Sequence, residues 1–249
     1  MPYKHYTLPT FPVATDLWDM LAAEKRPIVV YGMGNGADKL FDRLNTYGVS
    51  VADVFASDGF VRGHSFRGYK VLSFSEIREK YPDFVILLSF ASSRAEVLEM
   101  LSDIDEKYEM YIPDMPVAGA EEYFDREFYN KHFEEILTAY NSLADDESRD
   151  TFAAVVNYKL TGKMHYLTDT FATVDELYSL LPKEKIHHVL DLGAYNGDTV
   201  RECIKYLPHL ESAIAVEPDP KTYKRLLKFA ATVEGITLTT VNAAVFDRE

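Results

Sequence analysis

The chain has 249 residues, enough for one or two domains, and its 47% hydrophobic and 27% charged content is that of a folding chain with real cores. Its 40 acids against 26 bases give a formal net charge of −14, which excludes a general nucleic-acid binder that works by neutralising phosphates. A single cysteine, Cys203, excludes an intrachain disulfide and a cysteine metal cluster.

Residues 14–24 place Leu17, Met20 and Leu21 on one helical face, with Thr15 or Asp16 as N-cap. A βα pattern then begins. PIVVYG (27–32) reads as a strand, and the helix after it carries Leu40, Phe41, Leu44 and Tyr47 on one stripe, with Gly48 as its stop. VADVFASD (51–58) is a second strand, followed by a turn-rich basic stretch at 59–70. SFSEIREKY (73–81) reads as a helix ended by Pro82, FVILLSF (84–90) as a buried strand, 93–104 as a helix and EMYIP (109–113) as a strand. Strands alternating with helices at short spacing imply a parallel, doubly wound sheet. Residues 121–143, 147–162 and 173–181 read as helices, and at His187 the βα pattern starts again: strand HVLDLG, helix DTVRECIKYL, strand SAIAVE, helix PKTYKRLLKFA, strand ITLTTV. Val200, Cys203, Ile204 and Leu207 share one face of the first of these helices, which makes Cys203 a packing residue.

Two glycine turns stand at strand ends, and they differ. GMGNGA (32–37) fits the dinucleotide fingerprint with Gly32, Gly34 and Ala37, and Asp58 ends the next strand at a spacing from Gly36 that suits ribose hydroxyls. Arg62, His64, Arg67 and Lys70 cluster nearby, either as a site for an anionic ligand such as a nucleotide or sugar nucleotide, or as a solvated hairpin. The second turn, VLDLGAYNGDT (189–199), begins with an acid, Asp191, and has Tyr195 where a middle glycine might stand. An acid there repels a pyrophosphate and suits a cationic amine. Glu217 ends the following strand, placed to accept both hydroxyls of a ribose. A ligand with a ribose, an ammonium group and no phosphate is S-adenosylmethionine. Its amino-acid end would lie over Gly193, Ala194, Tyr195, Asn196 and Gly197, and its adenine near Asn242 and Ala243. The plain alternative is a small-residue turn of the kind any βαβ unit needs.

VLDLGAYNGDT, IAVEPDPKTYKRL and LTTVNAAV resemble, in order, the first motifs of the FkbM family of S-adenosylmethionine-dependent methyltransferases. Residues 144–167 resemble the helical lead-in of one bacterial branch, and the front module from YGMGNGADKL to PDMPV is similar to that branch as well. The resemblance implies methyl transfer, usually to an oxygen, on a sugar, polysaccharide or related small metabolite. The matching cofactor positions are Asp191, Gly193, Gly197, Glu217, Pro218, Asp219 and Asn242. It also implies a sheet that continues past the three strands present, so the chain reads as a fragment ending at Glu249 without its acceptor half and without an assignable catalytic base.

The expected fold is α/β: a Rossmann-like front domain over 1–115, a helical connector over 116–184, and the first half of a class I methyltransferase sheet over 185–249. The rival reading is a non-catalytic nucleotide or sugar-nucleotide module with a remnant second half. A weaker rival is an NAD(P)-dependent oxidoreductase using Gly32–Ala37. No metal site is expected, since His187 and His188 lack a partner at ligand spacing, and Asp145, Asp146 and Glu147 read as helix-start acids. The N-terminus lacks an apolar signal region, and FVILLSF is far below the roughly 20 residues of a membrane span, so the expectation is a cytoplasmic protein without a membrane span. The methyl acceptor and the oligomeric state are left open.

Overall fold

A computed structural model describes residues 4–61, 63–92, 94–116 and 122–245. The chain divides into two compact units, with the division between Phe171 and Ala172.

The first unit opens with α1 (Leu17–Ala23), whose start is fixed by a capping box between Asp16 and Asp19. The sheet elements follow: β1 (Ile28–Tyr31), α2 (Asn35–Thr46), β2 (Asp53–Ala56), β3 (Ser65–Phe66), β4 (Tyr69–Ser73), α3 (Phe74–Lys80), β5 (Val85–Leu88), α4 (Ala95–Asp105) and β6 (Glu109–Tyr111). The strand order is β3-β4-β2-β1-β5-β6. All neighbours run parallel except the short β3–β4 hairpin. The continuous apolar runs are explained by this arrangement, because a parallel strand covered by helices is buried on both faces. Val30, Leu40, Leu44 and Val54 pack with Trp18 and Leu21 on one face. Val29, Tyr31, Phe55, Ile77, Ile86 and Leu101 fill the other.

Four helices complete this unit: α5 (Arg126–Lys131), α6 (Phe133–Ser142), α7 (Asp146–Thr161) and α8 (His165–Thr168). Tyr129, Val156 and Leu160 form their core, and the Tyr129 hydroxyl donates to the Pro9 carbonyl at 2.9 Å. The stretch 121–143 expected as helical holds two helices, separated at His132. Gly162 ends α7 in the left-handed region, and its carbonyl accepts from Ile112 N–H at 2.7 Å, which ties α7 to the end of β6. In α1 the inward residues are Leu17, Trp18 and Leu21, while Met20 is exposed. Trp18 lies over Tyr47 and under the Arg43 guanidinium, so its larger ring takes the inward place expected for Met20.

The second unit begins with α9 (Val174–Leu180), capped by Thr173. Then come β7 (His188–Leu192), α10 (Asp198–Tyr206), β8 (Ser212–Val216), α11 (Pro220–Ala230) and β9 (Thr237–Val241). The three strands are parallel in the order β7-β8-β9. α10 and α11 pack on the same face, where Ala194, Val200, Ala213, Ala215 and Leu226 are buried together. Cys203 is buried against Tyr178, as packing predicts, whereas Ile204 is partly exposed at the edge of the stripe. The opposite sheet face is open: Leu190 is 60% exposed and Leu192 54%, with Ile214 and Val241 beside them. Parallel sheets are almost always covered on both faces, whereas among the described residues this face and the β7 edge are exposed.

Candidate functional site

The turn after β7 folds across the end of β8. Gly193 N–H and Ala194 N–H both donate to the Val216 carbonyl, at 2.8 and 2.9 Å. Gly193 (φ 98°), Tyr195 (φ 43°) and Gly197 (φ 85°) all lie at positive φ. Glycine meets that requirement without strain, whereas Tyr195 does so against the usual penalty for a side chain. Gly197 is also the N-cap of α10, and a Cβ there would stand 2.1 Å from Phe229 Cδ1. Ala194 is fully buried beneath the turn, while at Gly193 an added Cβ would meet nothing within 4 Å. The upper side of the turn is thus open and its underside packed.

Glu217 sits at the end of β8, 7% exposed. Its Oε2 accepts from Tyr195 N–H and its Oε1 from Asp219 N–H, both at 2.9 Å. The carboxylate therefore bolts the glycine turn to the β8–α11 turn, a job invisible in the sequence, and each oxygen retains a further lone pair. Asp219 caps α11 by accepting from Thr222 N–H at 2.6 Å, with Pro218 exposed before it. Asn242 donates from Nδ2 to the Glu217 carbonyl at 2.8 Å and to the Pro218 carbonyl at 3.2 Å, which draws the end of β9 onto the same corner. Ala243 follows it, exposed. All the residues singled out in the second turn thus gather at the carboxyl ends of β7, β8 and β9.

Among the described residues, two polar atoms there lack partners. Asp191 Oδ2 and Asn196 Oδ1 are buried without a hydrogen bond. Burial, and next the charge of Asp198, push the Asp191 carboxyl above the usual carboxylate range. A buried acceptor pair left unmet is costly, and a cationic donor placed against Asp191 would reverse both effects.

The first glycine turn is differently used. A Cβ on Gly32 would stand 2.7 Å from Ser89 Oγ and 2.8 Å from Phe90 Cδ1, and one on Gly36 would stand 2.1 Å from the Ser89 carbonyl oxygen. These two glycines make room for the chain after β5. Gly34 is open, with φ 122° at the start of α2, and Ala37 is the fully buried small residue of helix–strand packing. Asp58 is engaged at the start of α3, accepting from Phe74 N–H at 2.9 Å and from the Ser75 hydroxyl at 3.3 Å. Arg67, at the tip of the β3–β4 hairpin, is paired with Asp38 and Asp42, each at 2.7 Å. Arg62 lies outside the described residues. Among the described residues no group of His, Cys, Asp and Glu is placed to hold a metal ion, and no helix is long and apolar enough to cross a membrane.

No family model matches the chain, and no curated protein does. A solved structure does match. It is the methyltransferase FkbM from Methylobacillus flagellatus KT, similar with a TM-score of 0.60 at 18% identity over 94% of this chain and 67% of that one. The chain shares the α/β, Rossmann-like fold of that structure. At this identity the likeness speaks for the fold, and the chemistry rests on the side chains described above.

Proposed function

We propose that the second unit binds S-adenosylmethionine and that the chain is part of an O-methyltransferase acting on a sugar, polysaccharide or related small metabolite. The observation that carries the reading is the unpartnered, buried carboxylate oxygen of Asp191 at the mouth of an open glycine turn. In this reading Asp191 and Asn196 accept from the ligand's ammonium group. Gly193 leaves room for the backbone to approach, and Glu217 uses its remaining lone pairs for the ribose hydroxyls. Asn242 and Ala243 border the adenine. When bound, the cofactor supplies an activated methyl group on a sulfonium; this chain's residues bind and orient it.

The acceptor half of the site belongs outside the described strands. The open β7 edge and the bare face carrying Leu190 and Leu192 are where further strands and helices would complete a two-faced sheet. Rate depends on holding both reactants near attack geometry, an effect of about 7–11 kcal/mol. The 249-residue chain should therefore transfer no labelled methyl group to glycan acceptors at enzymatic rates, and turnover at such rates would refute this division of labour. A front-unit site for an anionic nucleotide is the weaker reading, because Asp58 and Arg67 are engaged within the fold.

A further inference from the structure

The first unit contains a cavity of about 470 Å³ at the carboxyl end of β5, between α4 and the α7–α8 corner. Leu88, Phe90, Leu101, Met164 and Phe171 form much of its wall, and among the described residues no charged side chain lines it. Its volume lies in the range of small-molecule sites, which are mostly apolar with a few polar groups. Its position also has meaning. The sheet grows from β1 first toward β2 and β4, then on the other side toward β5 and β6. Open α/β sheets bind ligands outside the carboxyl ends of the strands at such a reversal. Here Ser89 and Phe90 crowd Gly32, and Ser89 crowds Gly36, at the glycine turn. Phe90, whose ring stands against Gly32, is at the same time a wall of the cavity.

The wall also carries a phenol. Tyr158 lines the cavity, and its hydroxyl makes no hydrogen bond among the described residues. Burial, and then the nearby Asp114, push this phenol up to about 12, so it stays a neutral donor at physiological pH. At the mouth, Phe171 is 71% exposed and Leu167 36%. These are apolar surfaces that an occupant would cover.

We propose that this cavity binds a neutral, largely apolar small molecule carrying one oxygen acceptor, which the Tyr158 hydroxyl meets. A charged ligand would lose its hydration against a wall with no counter-charge. The inference is independent of the cofactor reading, since every residue involved belongs to the first unit.

The test is fluorescence titration of the full chain with 6-propionyl-2-(dimethylamino)naphthalene, a neutral aromatic ketone whose emission shifts to shorter wavelength away from water. Saturable one-to-one binding is expected. Thr168→Trp and Leu167→Trp, at exposed lining positions, should each weaken it at least about tenfold with unchanged circular dichroism melts, and two rim variants guard against one failing to fold. Tyr158→Phe should weaken it about three- to tenfold, the loss of one hydrogen bond. Uridine diphosphate glucose should not compete. Absence of saturable binding, titrations of the rim variants that superimpose on wild type, or competition by the sugar nucleotide would each overturn the proposal.

Discussion

Replacing Gly197 by alanine tests the architecture of the second turn. Gly197 has φ 85°, and an added Cβ would lie 2.1 Å from Phe229 Cδ1 and 2.5 Å from its Cε1. The ring is partly buried against the unit's core, and the Arg201 guanidinium lies over it at 4.2 Å from the centroid, which limits its retreat. A side chain in the left-handed region costs about 1–2 kcal/mol. Overpacking adds about 1–3 kcal/mol. The sum, roughly 2–5 kcal/mol, is a large share of a domain's stability. Gly193→Ala is the control: its φ of 98° brings strain, but nothing lies within 4 Å of the new atom, so its loss should be smaller. Phe229→Leu in the Gly197→Ala background should return part of the overpacking cost. The units can be followed separately in urea. The one tryptophan, Trp18, is buried in the first unit and reports that unit's unfolding, whereas far-ultraviolet circular dichroism reports both. Gly197→Ala should move the circular dichroism transition and leave the tryptophan transition in place. Equal losses for Gly193→Ala and Gly197→Ala, or no gain from Phe229→Leu, would refute the packing argument.

Other outcomes follow from the same geometry. Glu217→Ala should weaken S-adenosylmethionine binding at least about tenfold and also lower the second unit's stability, because two backbone N–H groups lose their acceptor; calorimetry and melting read the two effects. Asp191 has a raised carboxyl pKa, so its contribution to stability is most favourable below the unfolded-state value and is lost as pH rises through the folded value. Asp191→Asn should flatten that part of the second unit's stability–pH profile, measured by urea unfolding across the acid range. Gly36→Ala should destabilise the first unit by about 1–3 kcal/mol, seen in Trp18 fluorescence, because the new Cβ meets the Ser89 carbonyl at 2.1 Å.

The strands were legible because their apolar runs have one physical cause, burial on both faces. PIVVYG and FVILLSF fall on strands buried in this way, HVLDLG falls on a strand whose Leu190 and Leu192 are exposed, and Asp16, Ser73 and Thr173 each cap a helix where the local pattern allows. Spacing also indicated that Asp191, Glu217 and Asn242 stand at adjacent strand ends. What spacing does not carry is how side chains far apart in the chain consume one another. Glu217 reads as free for a ligand, yet both its oxygens already hold backbone N–H groups. Gly32 and Gly34 read as the first two glycines of a dinucleotide turn; Gly34 is open, yet Ser89 and Phe90 from a distant loop crowd Gly32, and Ser89 crowds Gly36. The Tyr158 cavity had no local signal at all, being assembled from β5, α4, α7 and α8.

The central claim is met most directly by isothermal titration of the full chain with S-adenosylmethionine, beside Asp191→Ala. The account predicts one saturable site whose affinity falls at least about tenfold in the variant, since a charge-assisted contact is worth about 1.5–3 kcal/mol. No heat of binding in the folded chain, or equal affinity in wild type and Asp191→Ala, would contradict it.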